Sequence, residues 1–509
     1  MKNTGSGVFE LIRQMNGSEK RYFKLFASFL RKKVKTQLVE LFEAIDKQKL
    51  YDEQALKKKF SHHRMLNLFF EKAKRDLFRL ILKSLRNYHE GKYTEQKVAN
   101  KFFEASILLD KGLFQSAKKI LDKALTDASQ SEFYWLMLRI REEQMHLMNN
   151  RQFFPLQDEE TIENTFRNFF SSLKNYENII HYYKGPFSIM RSLQKEGFAR
   201  RINRPKIEEM VKVMSADIKR MSPRSKLHYY MFRVFYHFER DEFNQSFDYA
   251  SLSLELFDKN YFLSEYPQFQ FRMLNYYLNN CIFLRRHASM LQAIEQMERI
   301  KTNSGVFQKS IGDTIINMKA SYFIRTGDFT KAKKILEPAL SETNPVGKFN
   351  MHLKLLFYYH LSIMYFGTEE HKKSLKWLNR IVNESIPDFR MDLLVFGRVL
   401  ELIVNFELKN MDLVEHRTRS LYRFLLKHKR LFRFEDCLLG FFRKKLFYAN
   451  NQEELLAAFT ELDTNLKKIF EDPFEQKALV DFNFVLHWLT SKIENRPFAE
   501  IIREKNKNS

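Results

Sequence analysis

An all-α fold is predicted by three features of the sequence. Turn-forming residues are scarce, with 14 glycines and 10 prolines among 509 residues, whereas the two together average roughly 12%. Apolar residues recur every three to four positions over long stretches, which is the period of one helix face. Short turn sequences also recur at regular intervals in the second half of the chain. We therefore expect an array of antiparallel helix pairs, preceded by a small basic helical domain.

The first domain is predicted to span residues 1–95 and to contain helices over 18–33, 35–48, 52–60 and 65–90. Ser18 is a suitable N-cap for the first of these helices. In the fourth, apolar residues from Leu66 to Leu85 keep the helical period along a wide stripe, which indicates burial on one side. No strand precedes the glycine-containing stretch 4–7, so it is interpreted as a flexible terminus.

The second region, residues 96–494, contains a pattern that repeats around two glycines. In each copy an alanine lies seven residues before the glycine, a second alanine five residues after it and a third twelve residues after it. These residues are Ala320, Gly327, Ala332 and Ala339 in one copy and Ala105, Gly112, Ala117 and Ala124 in the other. A third copy, around Asp241, has Ser246 and Ser253 at the last two places and no glycine.

This spacing has a direct physical interpretation. Two antiparallel helices approach closely where each presents a small residue, such as Ala320 and Ala332. Glycine at the turn accepts the positive φ that ends the first helix. Pro338 falls within the second helix, where it removes one backbone donor.

The pattern resembles the tetratricopeptide repeat. That family repeats about every 34 residues, whereas the turn residues from Asp241 to Asn450 are separated by 45, 41, 40, 43 and 40 residues. The helices are therefore expected to be longer than in the family. The resemblance implies a right-handed α-α superhelix with a concave groove that binds a peptide or a partner's helix. By offset, it would be lined by Thr314, Asn317, Ser321 and Ile324 in one unit and by His228, Met231, Phe235 and Phe238 in another. The alternative is that these faces pack against neighbouring helices.

Residues 150–225 are the least regular part of the array, with breaks predicted at 184–186 and 221–225. A terminal helix is predicted over 474–494, with Asp472 as its cap and Pro473 in its first turn. Residues 495–509 are predicted to form a C-terminal tail that is frayed near its end.

The net charge of +24 is unevenly distributed, because residues 1–100 contain 23 Lys and Arg against 11 Asp and Glu. A second basic cluster covers 417–434. Such clusters attract polyanions, including RNA, DNA, ribosomes and anionic membrane surfaces, although many basic faces are simply solvated. The residues predicted to contact a polyanion are Lys57, Lys58, Lys59, Arg64, Lys72, Lys74, Arg75 and Arg79 in the first cluster and Arg417, Arg419, Arg423, Lys427, Lys429 and Arg430 in the second.

Residue patterns typical of catalysis or metal binding are not evident. Cys281 and Cys437 lie far apart in sequence, and the adjacent His62 and His63 point in different directions on a helix, so neither pair predicts a metal site. No metalloprotease, phosphate-loop or nucleophile-elbow motif is present. We expect no cofactor, no metal and no enzymatic activity. The chain contains no signal-peptide pattern or apolar run long enough to cross a membrane, and a cytoplasmic location is predicted.

Two functions remain from the sequence. The leading hypothesis is a non-enzymatic scaffold that binds a peptide or protein partner in its groove. The alternative is a nucleic-acid- or ribosome-associated regulator, in which the basic N-terminal helices contact phosphates and the repeats sense or recruit a partner. A membrane-surface adaptor is a third hypothesis that depends on the same charge.

Overall fold

The computed structural model describes residues 4–29, 32–61, 69–148, 159–196, 218–240, 242–302, 304–341, 351–383, 391–428, 431–446, 451–472 and 483–507. Every regular element in these ranges is helical, which confirms the all-α class. The chain divides into two compact units, residues 1–177 and 178–509, which are described separately. The domain boundary near residue 95 differs from this division and stays a prediction.

The described part of the first unit begins with a four-helix core followed by longer hairpins. Its helices are α1 (Thr4–Gln14), α2 (Gly17–Ser28), α3 (Lys32–Asp46), α4 (Glu53–Lys59), α5 (Phe70–Tyr88), α6 (Thr94–Asp110), α7 (Phe114–Gln130) and α8 (Tyr134–Met148), after which α9 (Glu159–Glu196) follows. Helices α1, α2, α3 and α5 pack against one another. Phe23, Phe42, Leu77 and Ile81 are fully buried between them.

The start of the chain differs from the sequence prediction. Residues 4–14 form helix α1, whose Val8 and Ile12 are buried, so the prediction of a flexible terminus at 4–7 is wrong. The cap of α2 is Asn16 rather than Ser18. The Asn16 side chain accepts a hydrogen bond from the Glu19 amide at 2.9 Å, and the Glu19 carboxylate accepts one from the Asn16 amide at 2.8 Å, which completes a capping box.

The described part of the second unit contains fourteen further helices. They are α10 (Pro223–Glu239), α11 (Phe243–Lys259), α12 (Pro267–Phe283), α13 (His287–Glu298), α14 (Gly305–Arg325), α15 (Phe329–Ser341), α16 (Met351–Gly367), α17 (His371–Asn383), α18 (Met391–Glu407), α19 (Met411–Lys427), α20 (Arg433–Gly440), α21 (Gln452–Phe470), α22 (Asn483–Ile493) and α23 (Phe498–Lys507). Helices α10 to α19 form five consecutive pairs, in which a three-residue turn makes the two helices antiparallel. Their apolar faces are buried within and between the pairs.

The five pairs repeat with a nearly constant period. Their second helices begin at Phe243, His287, Phe329, His371 and Met411, at spacings of 44, 42, 42 and 40 residues. This confirms the prediction of units longer than 34 residues. In the last four pairs, the residue two positions before the second helix has positive φ. These residues are Arg285, Gly327, Glu369 and Lys409, with φ of 55°, 75°, 61° and 61°.

Residues twelve apart contact each other across two of the pairs. The Ser246 hydroxyl donates to the Val234 carbonyl at 3.0 Å, and the Ser374 hydroxyl donates to the Ser362 carbonyl at 2.8 Å. The alanines predicted at this spacing, namely Ala105 with Ala117 and Ala320 with Ala332, are fully buried, as is Ala124, while Ala339 is 8% exposed. A small side chain at this position therefore lets one helix backbone lie close to the other.

The last two helices, here called the terminal pair (α22 and α23), lie against the turns of four successive pairs. Asn483 accepts a hydrogen bond from Arg285 at 3.3 Å, and Arg503 donates to the Gly327 carbonyl at 3.0 Å. Further along, Trp488 and Lys492 both donate to Glu407, at 2.6 Å each. Phe484 also contacts Phe366 at the end of α16, with ring centroids 4.9 Å apart. The terminal pair therefore connects the ends of α12, α14, α16 and α18.

The sequence predicted a frayed tail near the end of the chain. This prediction is wrong for the residues up to Lys507. Residues 498–507 form α23, and Ile501 and Ile502 are buried. The sequence 498–502 supplies the apolar side chains that hold this helix on the array. Phe498 contacts Phe329 and Phe366, with ring centroids 5.8 and 5.2 Å apart.

Two predicted breaks have different outcomes. Helix α9 continues through residues 184–186 to Glu196, so the break there is wrong. A proline removes only one backbone donor, and the helix continues past Pro186. The break at 221–225 is confirmed, because Ser222 caps α10 and Pro223 is its first residue.

Pro338 lies inside α15 as predicted. The predicted start of the terminal helix at 473–482 lies outside the described residues.

Candidate binding surfaces

The first predicted groove set is buried on α14. Thr314, Asn317, Ser321 and Ile324 are between 1% and 7% exposed. The Thr314 hydroxyl donates to the Ser310 carbonyl at 2.9 Å, and the Asn317 amide donates to the Asp313 carbonyl at 3.0 Å. The Asn317 oxygen also lies 3.1 Å from His360 Nδ1 on α16. These polar groups are hydrogen-bonded within the fold, which weighs against contact with a peptide backbone.

The second predicted groove set lies on α10 among aromatic side chains. His228, Met231 and Phe235 are 1%, 3% and 8% exposed, and Phe238 is half-buried. The His228 ring meets the Phe269 ring edge-on, with centroids 5.1 Å apart, and Phe235 and Phe238 both contact Tyr276. Seven of the eight residues in the two sets are buried. This agrees with the alternative interpretation, in which these faces pack against neighbouring helices. Their role in binding stays a prediction.

The first basic cluster is split between two helices. Lys57, Lys58 and Lys59 form the last turn of α4, where Lys57 pairs with Glu53 at 2.7 Å. On α5 the exposed cations lie at helical spacing and continue beyond those that the sequence singled out. They form the basic stripe, which consists of Lys72, Arg75, Arg79, Lys83 and Arg86. None of these five forms an ion pair with a described residue. Arg64 lies outside the described residues.

Lys74 does not belong to this exposed surface. Its side chain is 1% exposed and its ammonium pairs with Glu53 at 2.6 Å and with Glu71 at 2.7 Å. Ion pairing with Lys57 and Lys74 lowers the pKa of Glu53 to about 2. The prediction that Lys74 contacts a phosphate is therefore wrong, because the residue faces the core between α4 and α5.

The second basic cluster is partly neutralised along α19. Arg417 pairs with Glu401 at 3.1 Å, and Arg419 pairs with Glu415 one turn earlier. Arg423 and Lys427 are exposed further along the helix. Lys429 and Arg430 lie outside the described residues. Since two of its four described cations already have carboxylate partners, this cluster is a weaker candidate for polyanion contact than the basic stripe.

An exposed apolar surface on the first hairpin was missed by the sequence analysis. Phe103 and Ile107, one turn apart on α6, are 63% and 59% exposed, and Leu113 in the following turn is 53% exposed. Val98 and Ala105 on the same helix are fully buried. The signal in the sequence was a helix with apolar residues all round, although only one face is needed for packing. We call Phe103, Ile107 and Leu113 the α6 apolar surface.

Within the described ranges, three or more His, Cys, Asp or Glu residues never lie close enough together to hold a metal ion. Cys281 and Cys437 are free thiols, and burial raises the pKa of Cys281 to about 12, which leaves it protonated and unreactive at neutral pH.

Among the helices of the described residues, none combines the length and the apolar composition that crossing a membrane requires. The cytoplasmic location stays a prediction.

These features place the chain in a class of all-α proteins built from stacked helical hairpins. No protein-family model matches its sequence, and no curated protein matches it. Among solved structures, a crystal structure of the apo form of RapI is similar, with 14% identity, a TM-score of 0.41, and coverage of 81% of this chain and 97% of that chain.

Proposed function

We propose that this protein is a non-enzymatic interaction protein that binds a protein or peptide partner through its helical hairpins. The observation that supports this most is the α6 apolar surface. Folded proteins seldom leave adjacent large apolar side chains in water, and such surfaces often mark interaction sites. The buried groove residues of α10 and α14 are less suited to the role, so the proposed contact lies on α6.

The charge of the first unit favours a particular type of partner. Its residues 1–100, which include only the first seven residues of α6, contain 23 Lys and Arg against 11 Asp and Glu. A segment with apolar anchors spaced one helical turn apart and with acidic flanking residues would match both features. We therefore propose an acidic amphipathic segment of a protein as the occupant.

We also infer that the hairpins are long relatives of tetratricopeptide repeats. Support comes from the close contact between residues twelve apart, from the buried alanines of that contact and from the positive-φ residue before the second helix. The period of 40 to 44 residues in the second unit reflects helices longer than those of the family.

Photo-crosslinking tests the proposed contact. A benzophenone amino acid at position 103 is expected to form a protein adduct that survives nuclease treatment. The same group at the control position Tyr261, which is 89% exposed on the second unit, is expected to give no adduct of that mass. An added Ile107→Asp substitution should remove the adduct, because a carboxylate in the apolar contact opposes burial. Identical adducts at both positions, or none at position 103, would contradict the proposal.

A second candidate function is polyanion binding by the basic stripe. The stripe extends over fifteen residues of α5, from Lys72 to Arg86. Its length is about 21 Å at the rise of a helix, which spans several phosphates of a nucleic acid. The cations are exposed and have no carboxylate partner among the described residues. This arrangement, rather than the net charge, favours the hypothesis.

Charge reversal tests this second candidate. The double substitution Arg75→Glu and Arg79→Glu is expected to weaken binding to a short single-stranded RNA at about 50 mM salt and to reduce the salt slope by roughly 1.4. Fluorescence anisotropy over a salt series measures both quantities. Arg299→Glu is the matched control, since Arg299 is an exposed arginine outside both basic clusters. Equal RNA affinity in all three proteins, or no binding by the unmodified protein, would exclude the basic stripe as a nucleic-acid site.

A further inference from the structure

A cavity of about 370 Å³ lies in the second unit where the terminal pair meets the ends of α12, α14 and α16. Arg285 and His287 reach it from the turn between α12 and α13, and Ser321 and Arg325 reach it from the last turns of α14. The terminal pair contributes His487 and Lys505. Its volume is in the range of small-molecule sites in proteins.

The polar lining of this cavity is basic. Three cationic side chains, Arg285, Arg325 and Lys505, and three histidines, His287, His360 and His487, lie on its wall. None of the described residues that line it is Asp or Glu. A cavity lined by charges of one sign concentrates the opposite charge, and the effect is strengthened by walls of low dielectric constant.

Neutral amides hold two of these groups in place. Asn483 Oδ1 accepts a hydrogen bond from Arg285 at 3.3 Å, and Asn506 Oδ1 lies 3.0 Å from His287 Nε2. An amide oxygen orients a guanidinium or an imidazole without cancelling its charge. The partner of Arg285 at the cavity is therefore a neutral amide rather than a carboxylate.

The remaining wall is apolar. Ile324 on α14, Tyr359 and Ile363 on α16, Phe484 on α22 and Ile502 on α23 face the same space. These side chains are less than a tenth exposed. An occupant of this cavity would therefore place one end against cations and the rest against aliphatic and aromatic groups.

The pKa values of the histidines are consistent with a positive local potential. Burial is the main reason why the pKa of His487 is low. The nearby cations Lys505 and Arg285 lower this pKa further, to about 4. Burial also lowers the pKa of His287, and Arg325 and Arg285 add to the effect. A bound anion would raise the pKa of these histidines, because its charge would offset the effect of the neighbouring cations.

We propose that this cavity binds a small organic anion that carries a phosphate or carboxylate head on an apolar group. The head lies against Arg285, Arg325 and Lys505, and the apolar group lies along Ile324, Ile363 and Phe484. This site is separate from the α6 apolar surface and does not depend on the function proposed there. Because Lys505 and Ile502 belong to α23, the bound anion also strengthens the attachment of that helix.

Calorimetric titration of the full chain with phenyl phosphate tests the proposal. Phenyl phosphate and phenylacetate are expected to bind, inorganic phosphate more weakly, and neutral benzyl alcohol not at all. The phosphate and carboxylate probes identify which head is preferred. The double substitution Arg285→Gln and Arg325→Gln should weaken binding at least about tenfold, since it removes two charge-assisted contacts. Arg299→Gln, an exposed arginine of the same unit outside the cavity, should leave affinity unchanged.

Circular dichroism of each variant shows whether its helices are intact. If the double variant does not fold, Lys505→Gln provides the same measurement at the mouth of the cavity, with a smaller expected loss of affinity. The absence of phenyl phosphate binding to the unmodified protein would overturn the proposal. The proposal would also be overturned if phenyl phosphate bound the charge-removed and unmodified proteins with equal affinity. Binding of benzyl alcohol as tightly as phenyl phosphate would overturn it as well.

Discussion

Gly327→Ala is expected to lower the free energy of unfolding of the second unit by about 3 kcal/mol, because two effects add. The first is backbone strain, since Gly327 has a φ of 75° and a Cβ atom disfavours that region by about 1 kcal/mol. The second is steric. A Cβ atom at this position would lie 2.9 Å from the Ala499 carbonyl oxygen and 3.2 Å from the Arg503 backbone nitrogen.

Gly112→Ala is the matched control for this prediction. Gly112 has a φ of 74°, but the nearest atom to its added Cβ is a ring carbon of Phe114 at 4.0 Å. This substitution therefore carries only the strain, and we expect a loss of about 1 kcal/mol. Urea unfolding followed by circular dichroism measures both variants. Equal losses in the two would show that the approach of α23 to Gly327 contributes nothing.

Hydrogen exchange shows where the Gly327→Ala effect is located. The added methyl group displaces α23, so the amides of residues 498–507 should exchange faster in that variant than in the unmodified protein. Gly112→Ala should leave their exchange unchanged. Protection of α23 that is the same in all three proteins would contradict the proposed steric cause.

The turns show what the sequence could predict and what it could not. Their position follows from local chemistry, because a residue with positive φ ends the first helix in each of the last four pairs. However, Arg285, Glu369 and Lys409 have this conformation without being glycine. Positive φ alone therefore does not account for Gly327. The additional requirement comes from α23, which contacts the turn from more than 170 residues away in sequence, and no local pattern contains that information.

The candidate sites were harder to predict from the sequence than the fold, because they depend on the surroundings of individual side chains. Helical spacing placed Asn317 correctly on the first helix of a pair, yet its amide is bonded to Asp313 and His360 within the fold. Lys74 lies in the same basic run as Lys72 and Arg75, but its side chain is buried and its ammonium pairs with two carboxylates. Periodicity shows which residues share a face. Whether that face meets solvent or another helix is decided by tertiary packing.

Acidification is expected to destabilise the second unit through His228. This side chain is 1% exposed, and burial, followed by Arg224 and Arg272, lowers its pKa to about 3. An unfolded histidine has a pKa of about 6.5. Between these two values the unfolded chain binds a proton that the folded chain does not. Stability is therefore complete above about pH 6.5 and falls as the pH falls toward 3.

Removing the imidazole should remove this part of the pH dependence. His228→Phe keeps a ring against Phe269, and the loss of unfolding free energy between about pH 7 and about pH 5 should become smaller by about 2 kcal/mol. His416→Phe, at an exposed position on α19, should leave the loss unchanged. Urea unfolding at each pH measures the slope, which is independent of any uniform change in stability. Other partly buried histidines with a lowered pKa, including His487, keep some acid sensitivity in both variants. A slope unaffected by His228→Phe would mean that this imidazole becomes protonated in the folded protein.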